Sequence, residues 1–233
     1  MNDDFKVKRL RRFQELLRRF PSERSVHNVW FTDEKTFTVA SPVNSKRQSL
    51  FRADKKSRVD PRRLIRERQH FSKSIMVSVG VSKMGKTRLA FVKPGAKINS
   101  EYYCKNLLGR NLLPDIRHKS GRHNFILQQD GAPSHTAANT VAFLKKENLQ
   151  FIEPEASPNS PDLNPVYYAV WGALQQRVYL RRQFASVDEL KTALTLEWGR
   201  LSQRFIDKSI DEWRQRLQAV VRNTGAHIEH LFK

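Results

Sequence analysis

Two aspartates stand at the ends of apolar stretches, in dissimilar surroundings. Asp33 lies in the segment WFTDEK and Asp130 in LQQDGAPSH. Each stretch has the pattern of a strand, so both acids are predicted at strand ends. Mg²⁺ prefers oxygen ligands and keeps several waters, and enzymes that move phosphodiesters hold two such ions between converging carboxylates. Acids at strand ends are ordinary surface residues in most proteins. From their position alone, the two aspartates could be either such surface residues or metal ligands.

The elements around these acids predict an α/β fold, a mixed central sheet flanked by helices. The predicted strands are two that meet near the acids within 27–40, a hairpin of 74–81 and 88–94, one at 125–130 and a short one at 151–152. The predicted helices cover 99–117, 133–148 and most of 165–221, the last with Trp171, Trp198 and Trp213 as core anchors. Ligand sites in such sheets cluster at strand termini.

The charge balance favours a polyanionic partner. The 233 residues include 43 Lys and Arg against 23 Asp and Glu, a formal charge of +20, which points first to nucleic acid. No apolar run approaches the about 18 residues of a membrane helix, so no membrane partner is predicted. A lone Cys104 excludes an intramolecular disulfide framework and is expected to be a small buried hydrophobe in a reducing compartment. Nuclear residence is the expectation that follows from DNA binding.

Two basic segments flank the first acid. Residues 7–20 place apolar side chains at helical spacing opposite Arg and Lys, and Pro21 ends the pattern, so residues 1–26 are predicted as an amphipathic helical arm and 27–233 as one domain. The arm could pack on the domain, contact DNA or a partner, or do both. Residues 41–70 carry ten Lys or Arg against three acids without periodicity. Such a long loop suggests a clamp for DNA or a second subunit, and a solvated charged loop is the alternative. The candidate DNA contacts are Arg47, Lys55, Lys56, Arg62 and Arg63.

One nucleotide-binding motif is rejected on physical grounds. Residues 80–87 match the phosphate-binding loop GxxxxGK[ST] and follow an apolar strand. That loop requires a helix directly after its Lys and Thr, because helix amides cradle the phosphate. Residues 88–92 have a strand pattern instead, so an ATPase is not predicted.

Three longer sequence segments give the two aspartates a more specific interpretation. The segments VWFTDEKTF, QQDGAPSH and NSPDLNPVYYAVWG resemble, in order and approximate spacing, the signature blocks of mariner/Tc1 transposases. The resemblance extends over roughly residues 20–232. It implies a ribonuclease-H-like fold and a triad of acids that binds two Mg²⁺ or Mn²⁺ ions for DNA strand cleavage and transfer. Block matching assigns Asp33 and Asp130 to the first two positions of the triad, as metal ligands.

The third acid of the triad is replaced in this sequence. In mariner relatives the third acid follows an SPDLNP-like segment, in the pattern PxDY. The matching residue here is Tyr167, and 36 residues separate it from Asp130. Asn164 can cap a helix that has Pro165 at its first position, which makes Tyr167 the third helical residue. An acid there would complement the helix dipole, whereas a neutral phenol supplies no charge and ligates Mg²⁺ poorly. The divalent ion is therefore expected to bind weakly.

Other nearby groups are assigned structural roles. The family carries the equivalent of Asp162 alongside its own triad, so this residue is not expected to replace the missing acid. Glu34 follows Asp33 on an alternating strand and should face the opposite side, as a structural group. His135 could contact DNA or position a metal-bound water, but a histidine satisfied by local hydrogen bonds at a helix start is the more common case.

Three functional hypotheses follow. The first is a transposase catalytic domain that binds DNA, with its chemistry lost or weakened. The second is an active nuclease or strand transferase in which another carboxylate completes the site, and the third is a domesticated module for DNA or protein interaction. Family members carry helix-turn-helix modules ahead of the catalytic domain, and only an arm precedes Val29 here, so sequence-specific DNA recognition is not predicted.

Overall fold

A single mixed sheet organises the computed structural model, which describes residues 3–40, 73–153, 161–180 and 182–232. Within these ranges six strands pair in the order β3-β2-β1-β5-β6, and β4 also pairs with β2. The strands are β1 (Val29–Thr38), β2 (Ser74–Ser82), β3 (Gly85–Lys86), β4 (Ala90–Phe91), β5 (Ile126–Gln128) and β6 (Gln150–Phe151). Strands β1, β5 and β6 run parallel, while β2 is antiparallel to β1, β3 and β4. The predicted mixed α/β sheet is confirmed.

Helices cover both faces of this sheet. They are α1 (Asp3–Arg19), α2 in three continuous segments (Ser100–Tyr102, Tyr103–Leu112 and Leu113–Ser120), α3 (Pro133–Thr136), α4 (Ala138–Lys146), α5 in two segments (Val166–Val170 and Trp171–Tyr179), α6 (Val187–Arg200) and α7 (Gln203–Arg222). The middle segment of α2 and the first of α5 are π-helical. No described helix is long and apolar enough to cross a membrane.

Two hydrophobic cores lie on opposite faces of the sheet. One contains the apolar side chains of α1, α5, α6 and α7 and includes the three predicted anchors, which are all buried: Trp171, Trp198 and Trp213. The other is built mainly from α2 and α4, with Trp30 of β1 at its centre. Cys104 is buried, as predicted. The amphipathic arm packs on α7 and contributes Phe13, Leu16 and Phe20 to the first core.

One strand prediction is wrong and matters for the site. Residues 29–38 form one continuous strand, and Asp33 lies at its middle, opposite Val79 of β2, instead of at a strand end. The pairing with β2 runs without interruption from Phe31 to Thr38. Long-range pairing therefore carries the strand through the charged segment, where the local pattern suggested a break.

The predicted hairpin is confirmed, with its second strand divided into β3 and β4. No helix follows Lys86, which justifies rejecting the nucleotide-binding motif. The Lys86 ammonium instead donates a 2.5 Å hydrogen bond to the carbonyl of Trp198 and another to that of Leu201, at the end of α6. A cation at a helix C-terminus satisfies carbonyls that have no partner within the helix.

Candidate active site

Asp33 and Asp130 lie side by side because their strands are neighbours. Strands β1 and β5 are parallel, and Phe31 is paired with Gln128. Asp33 comes two residues after Phe31 within β1, and Asp130 comes two residues after Gln128, just beyond the end of β5, so the parallel pairing brings the two residues close to each other. The negative charge of Asp130 is near enough to contribute to a raised pKa of Asp33. The structure thus brings together the first two residues that the sequence selected.

The Asp33 carboxyl group is held by a tryptophan. It is 7% exposed, and its Oδ2 accepts a 2.6 Å hydrogen bond from the indole Nε1 of Trp171. Burial raises the pKa of Asp33 to about 7, and the nearby charges of Glu34 and Asp130 act in the same direction. The indole hydrogen bond favours the ionised form and partly offsets this rise.

Asp130 is held by the loop and helix that follow it. Its Oδ1 accepts a 3.0 Å hydrogen bond from the backbone amide of Ala132 and lies 2.5 Å from Nδ1 of His135. Burial by itself would raise the pKa of Asp130, but the hydrogen bond to His135 and the charge of that residue outweigh burial and lower it. Asp130 is therefore an ionised carboxylate with one oxygen fully engaged.

A buried network lies behind Asp130. Nε2 of His135, on α3, lies 3.4 Å from Oε2 of Glu34. The other carboxylate oxygen of Glu34, Oε1, accepts a 2.7 Å hydrogen bond from the Ser78 hydroxyl. Burial opposes protonation of His135, but the hydrogen bond to Asp130 and the charge of Glu34 raise its pKa. The orientation predicted for Glu34 is confirmed, since it faces away from the Trp171 side of β1, and the ring of His135 is held between Asp130 and Glu34. The ring of Tyr103 packs against His135 at 4.1 Å between centroids.

Tyr167 occupies the helical position that the sequence predicted. Oδ1 of Asn164 accepts a 3.0 Å hydrogen bond from the amide of Val166, and its Nδ2 donates to the carbonyl of Thr32 at 2.9 Å. The cap therefore ties the start of α5 to β1 beside Asp33. Tyr167 lies one helical turn before Trp171, so both point to the same side of α5. Its side chain is 52% exposed and forms no hydrogen bond with any described residue.

Comparison with known proteins identifies this arrangement. No protein-family model and no curated protein matches the sequence. The Mos1 transposase paired-end complex with left transposon end is 25% identical with a TM-score of 0.78, over 97% of this chain and 64% of that one. The crystal structure of the catalytic domain of Mos1 mariner transposase is 21% identical with a TM-score of 0.72, over 97% of both chains. The chain has the mariner transposase catalytic fold. It spans just under two thirds of the longer Mos1 chain.

The acids of this mariner fold do not fit a two-ion centre. Asp33 and Asp130 offer carboxylate oxygens that suit one hard cation. A second ion would need a further acid, and the resemblance described above predicts that acid where the sequence has Tyr167. Over the described ranges, no group of three or more His, Cys, Asp or Glu is arranged to hold a metal ion. Two Mos1 paired-end complexes were solved with Mn and with Mg.

Asp162 is engaged elsewhere in the mariner fold. Its Oδ2 forms a 2.8 Å ion pair with Arg9 of α1, and both side chains are buried. The Asp162 carbonyl also accepts a 3.3 Å hydrogen bond from Arg216 of α7. This ion pair fastens α1 to the turn before α5, which supports a structural role for Asp162. The predicted DNA contacts Arg47, Lys55, Lys56, Arg62 and Arg63 lie outside the described residues, as does the predicted 41–70 clamp.

Sequence reasoning missed two groups at this site. Trp171 was predicted only as a core anchor, although its position four residues after Tyr167 places both on one helical face. That spacing could have identified it as a neighbour of the acids. Tyr103 carried no such signal, because it reaches the site from a separate helix, where its hydroxyl donates a 2.5 Å hydrogen bond to Gln129.

Proposed function

We propose that this chain is a transposase-derived domain that binds DNA and whose strand-cleavage and strand-transfer chemistry is lost or impaired. The observation that carries the proposal is the contrast within the site. Asp33 lies in β1 and Asp130 lies two residues beyond the end of the neighbouring parallel strand β5, whereas the capped start of α5 presents an exposed Tyr167. The mariner fold supplies a scaffold for metal-dependent phosphodiester chemistry, and one of its acids is missing.

The chemistry of the site supports impaired catalysis. Two ions are needed to stabilise both the attacking and the leaving oxygen of a phosphodiester. A phenol is neutral at neutral pH and is a poor ligand for Mg²⁺ or Mn²⁺, which prefer carboxylate oxygens. In addition, Trp171 occupies Oδ2 of Asp33 and reduces what that carboxylate can offer a second cation. We therefore propose weak binding of one divalent ion by Asp33 and Asp130.

DNA is the proposed partner. The formal charge of +20 favours phosphate contacts that do not depend on sequence, and one Mos1 neighbour is a complex with a transposon end. Nuclear residence belongs to the same proposal, since the substrate is chromosomal DNA. We also propose that the 41–70 segment contacts DNA or a second copy of the chain.

Restoring the acid tests the proposal. Divalent ions are titrated by calorimetry into the natural chain, Tyr167→Asp and Tyr167→Asn, and each protein is assayed for nicking of supercoiled DNA. Asn matches Asp in shape but lacks its charge, so it is the control. Tyr167→Asp alone should bind Mn²⁺ at least about tenfold more tightly, because even outer-shell partners contribute that much to metal affinity. It should also be the only one of the three to nick DNA.

Other outcomes would select the other hypotheses. Nicking by the natural chain at the rate of Tyr167→Asp would show that another carboxylate completes the site, and the assignment of Tyr167 would be wrong. Absence of salt-sensitive DNA binding by the natural chain would favour a module for protein interaction, because phosphate contacts make affinity fall with salt.

A further inference from the structure

A basic pocket lies on the outer side of the first turns of α2. It is open to solvent and has a volume of about 360 Å³. Its lining is almost entirely polar: Lys97, Asn99, Glu101, Tyr102, Lys105, Asn106 and Arg110. No role has been given to these residues in the site described above.

One helical turn of α2 contributes both to the pocket and to the packing around Asp130. Tyr102 lines the pocket, while Tyr103, the next residue, is fully buried behind Asp130. The Tyr103 hydroxyl bonds to Gln129, and its ring packs on His135. The segment Ser100–Tyr102 also packs directly on α3, which carries His135. The wall of the pocket and the helix that holds Asp130 through His135 are therefore packed against each other.

The pocket cations are not neutralised by the fold. Lys97, Lys105 and Arg110 form no ion pair with any residue that the structure describes. Farther along the same helix the charges are paired, Arg117 with Glu147 and Asp115 with Arg88, both at 2.8 Å. The local charge is thus three cations against one acid, Glu101.

The neutral groups of the pocket suit an anion. Oδ1 of Asn99 accepts a 2.8 Å hydrogen bond from the amide of Tyr102, and Oδ1 of Asn106 faces Arg110 at 3.4 Å. With their oxygens engaged, both side chains can offer amide N–H donors to a ligand. The Tyr102 hydroxyl accepts a hydrogen bond from the amide of Lys93 at 3.2 Å, which fixes that ring in the wall.

We propose that this pocket binds a backbone phosphate of a DNA duplex that runs past Asp130. The inference rests on the proposed DNA-binding function and locates one of its contacts among the described residues. Lys, Arg and amide N–H groups recognise phosphate oxygens without reading bases. The contact therefore positions the duplex and adds no sequence preference.

A salt titration tests this inference. Binding of a short duplex of mixed sequence is measured between roughly 50 and 200 mM salt for the natural chain and for Lys97→Gln/Lys105→Gln/Arg110→Gln. The slope of log affinity against log salt should fall by about 0.9 for each phosphate that the variant no longer neutralises. The control replaces three exposed cations of α7, on the other face of the sheet, with Gln: Arg204, Lys208 and Arg222. The control slope should change less than that of the pocket variant.

A single substitution that removes a negative charge, instead of positive charges, provides a second test. Glu101→Gln removes the only acid of the lining, and it should tighten DNA binding by up to about fivefold, the effect of one unit charge near a phosphate in water. A misfolded variant cannot produce this gain.

The outcomes separate the pocket from the proposed function. If the natural chain binds DNA and the salt slope falls equally in the pocket and control variants, the pocket inference is overturned and DNA binding stands. If the natural chain does not bind DNA, both fail. Loss of binding to poly-glutamate, with DNA binding unchanged, would assign the pocket to an acidic protein and overturn the inference.

Discussion

Asp130 and Tyr167, two of the three positions that the resemblance to mariner transposases selects, differ in how the rest of the molecule depends on them. Asp130 is tied to Ala132 and His135, and through His135 to Glu34. The Tyr167 side chain is half exposed and bonds to nothing described, although the helix that carries it is well anchored by its cap and by Trp171.

This difference teaches why one position can change while the other stays. Removal of Asp130 would leave Nδ1 of the buried His135 without its hydrogen-bond partner, and a buried polar group left unsatisfied lowers stability. Replacement of an exposed residue at a helix start has little effect on stability. Asp130 is thus part of the fold as well as of the candidate site, whereas the fold does not depend on the Tyr167 side chain. Under the proposed function, replacement of an acid at this position would leave the scaffold intact.

The largest expected effect comes from breaking the Asp130 network. His135→Ala removes the group that lies between Asp130 and Glu34, and it should lower the free energy of unfolding by about 3 kcal/mol, because a buried ring is lost from the packing and Glu34 loses its contact with that ring. Urea denaturation measures the change. His118→Ala, an exposed histidine of α2, is the control and should have little effect. A similar small effect for both variants would show that the network does not support the fold.

A smaller effect is expected at the link between α5 and β1. Trp171→Phe keeps most of the buried ring but removes the N–H that bonds to Asp33, and it should cost about 1 to 3 kcal/mol, the penalty for a buried acceptor left unsatisfied. Trp198→Phe, which removes a 2.8 Å bond to the neutral carbonyl of Thr87, is the matched control. Thermal or urea unfolding should give the larger loss for Trp171→Phe. The reverse order would argue against the hydrogen bond to Asp33 as the stronger of the two.

The smallest effect is expected at the third acid position. Tyr167→Ala should change the free energy of unfolding by no more than about 0.5 kcal/mol, because the side chain is exposed. Tyr168→Ala provides the contrast, since that neighbour packs under Arg216 at 3.8 Å and bonds to the carbonyl of Ser209. Its replacement should cost several times more. A large loss for Tyr167→Ala would disprove the proposed separation between fold and chemistry at this position.

Local sequence patterns were sufficient to predict the features that depend on short-range interactions. Asn164 followed by Pro165 predicted Tyr167 as the third helical residue, and in the structure the backbone is helical from Pro165 and the side chain of Asn164 caps it. Alternating and helical patterns predicted the mixed sheet and the three tryptophan anchors. The prediction failed for Asp33, because the ends of a strand depend on its partner, and the pairing with β2 extends through the charged segment.

The sequence by itself determined the composition of the site: two aspartates after apolar strands, a tyrosine where the resemblance expects an acid, and a strong positive charge. Only the tertiary structure decided how these groups are held. Trp171 reaches Asp33 across 138 positions of the chain, and Glu34 and His135 meet from β1 and α3. Such contacts arise from strand order and helix packing, which bring distant residues together without leaving a local periodic signal. For the same reason, the pairing of Lys86 with the end of α6 became visible only in three dimensions.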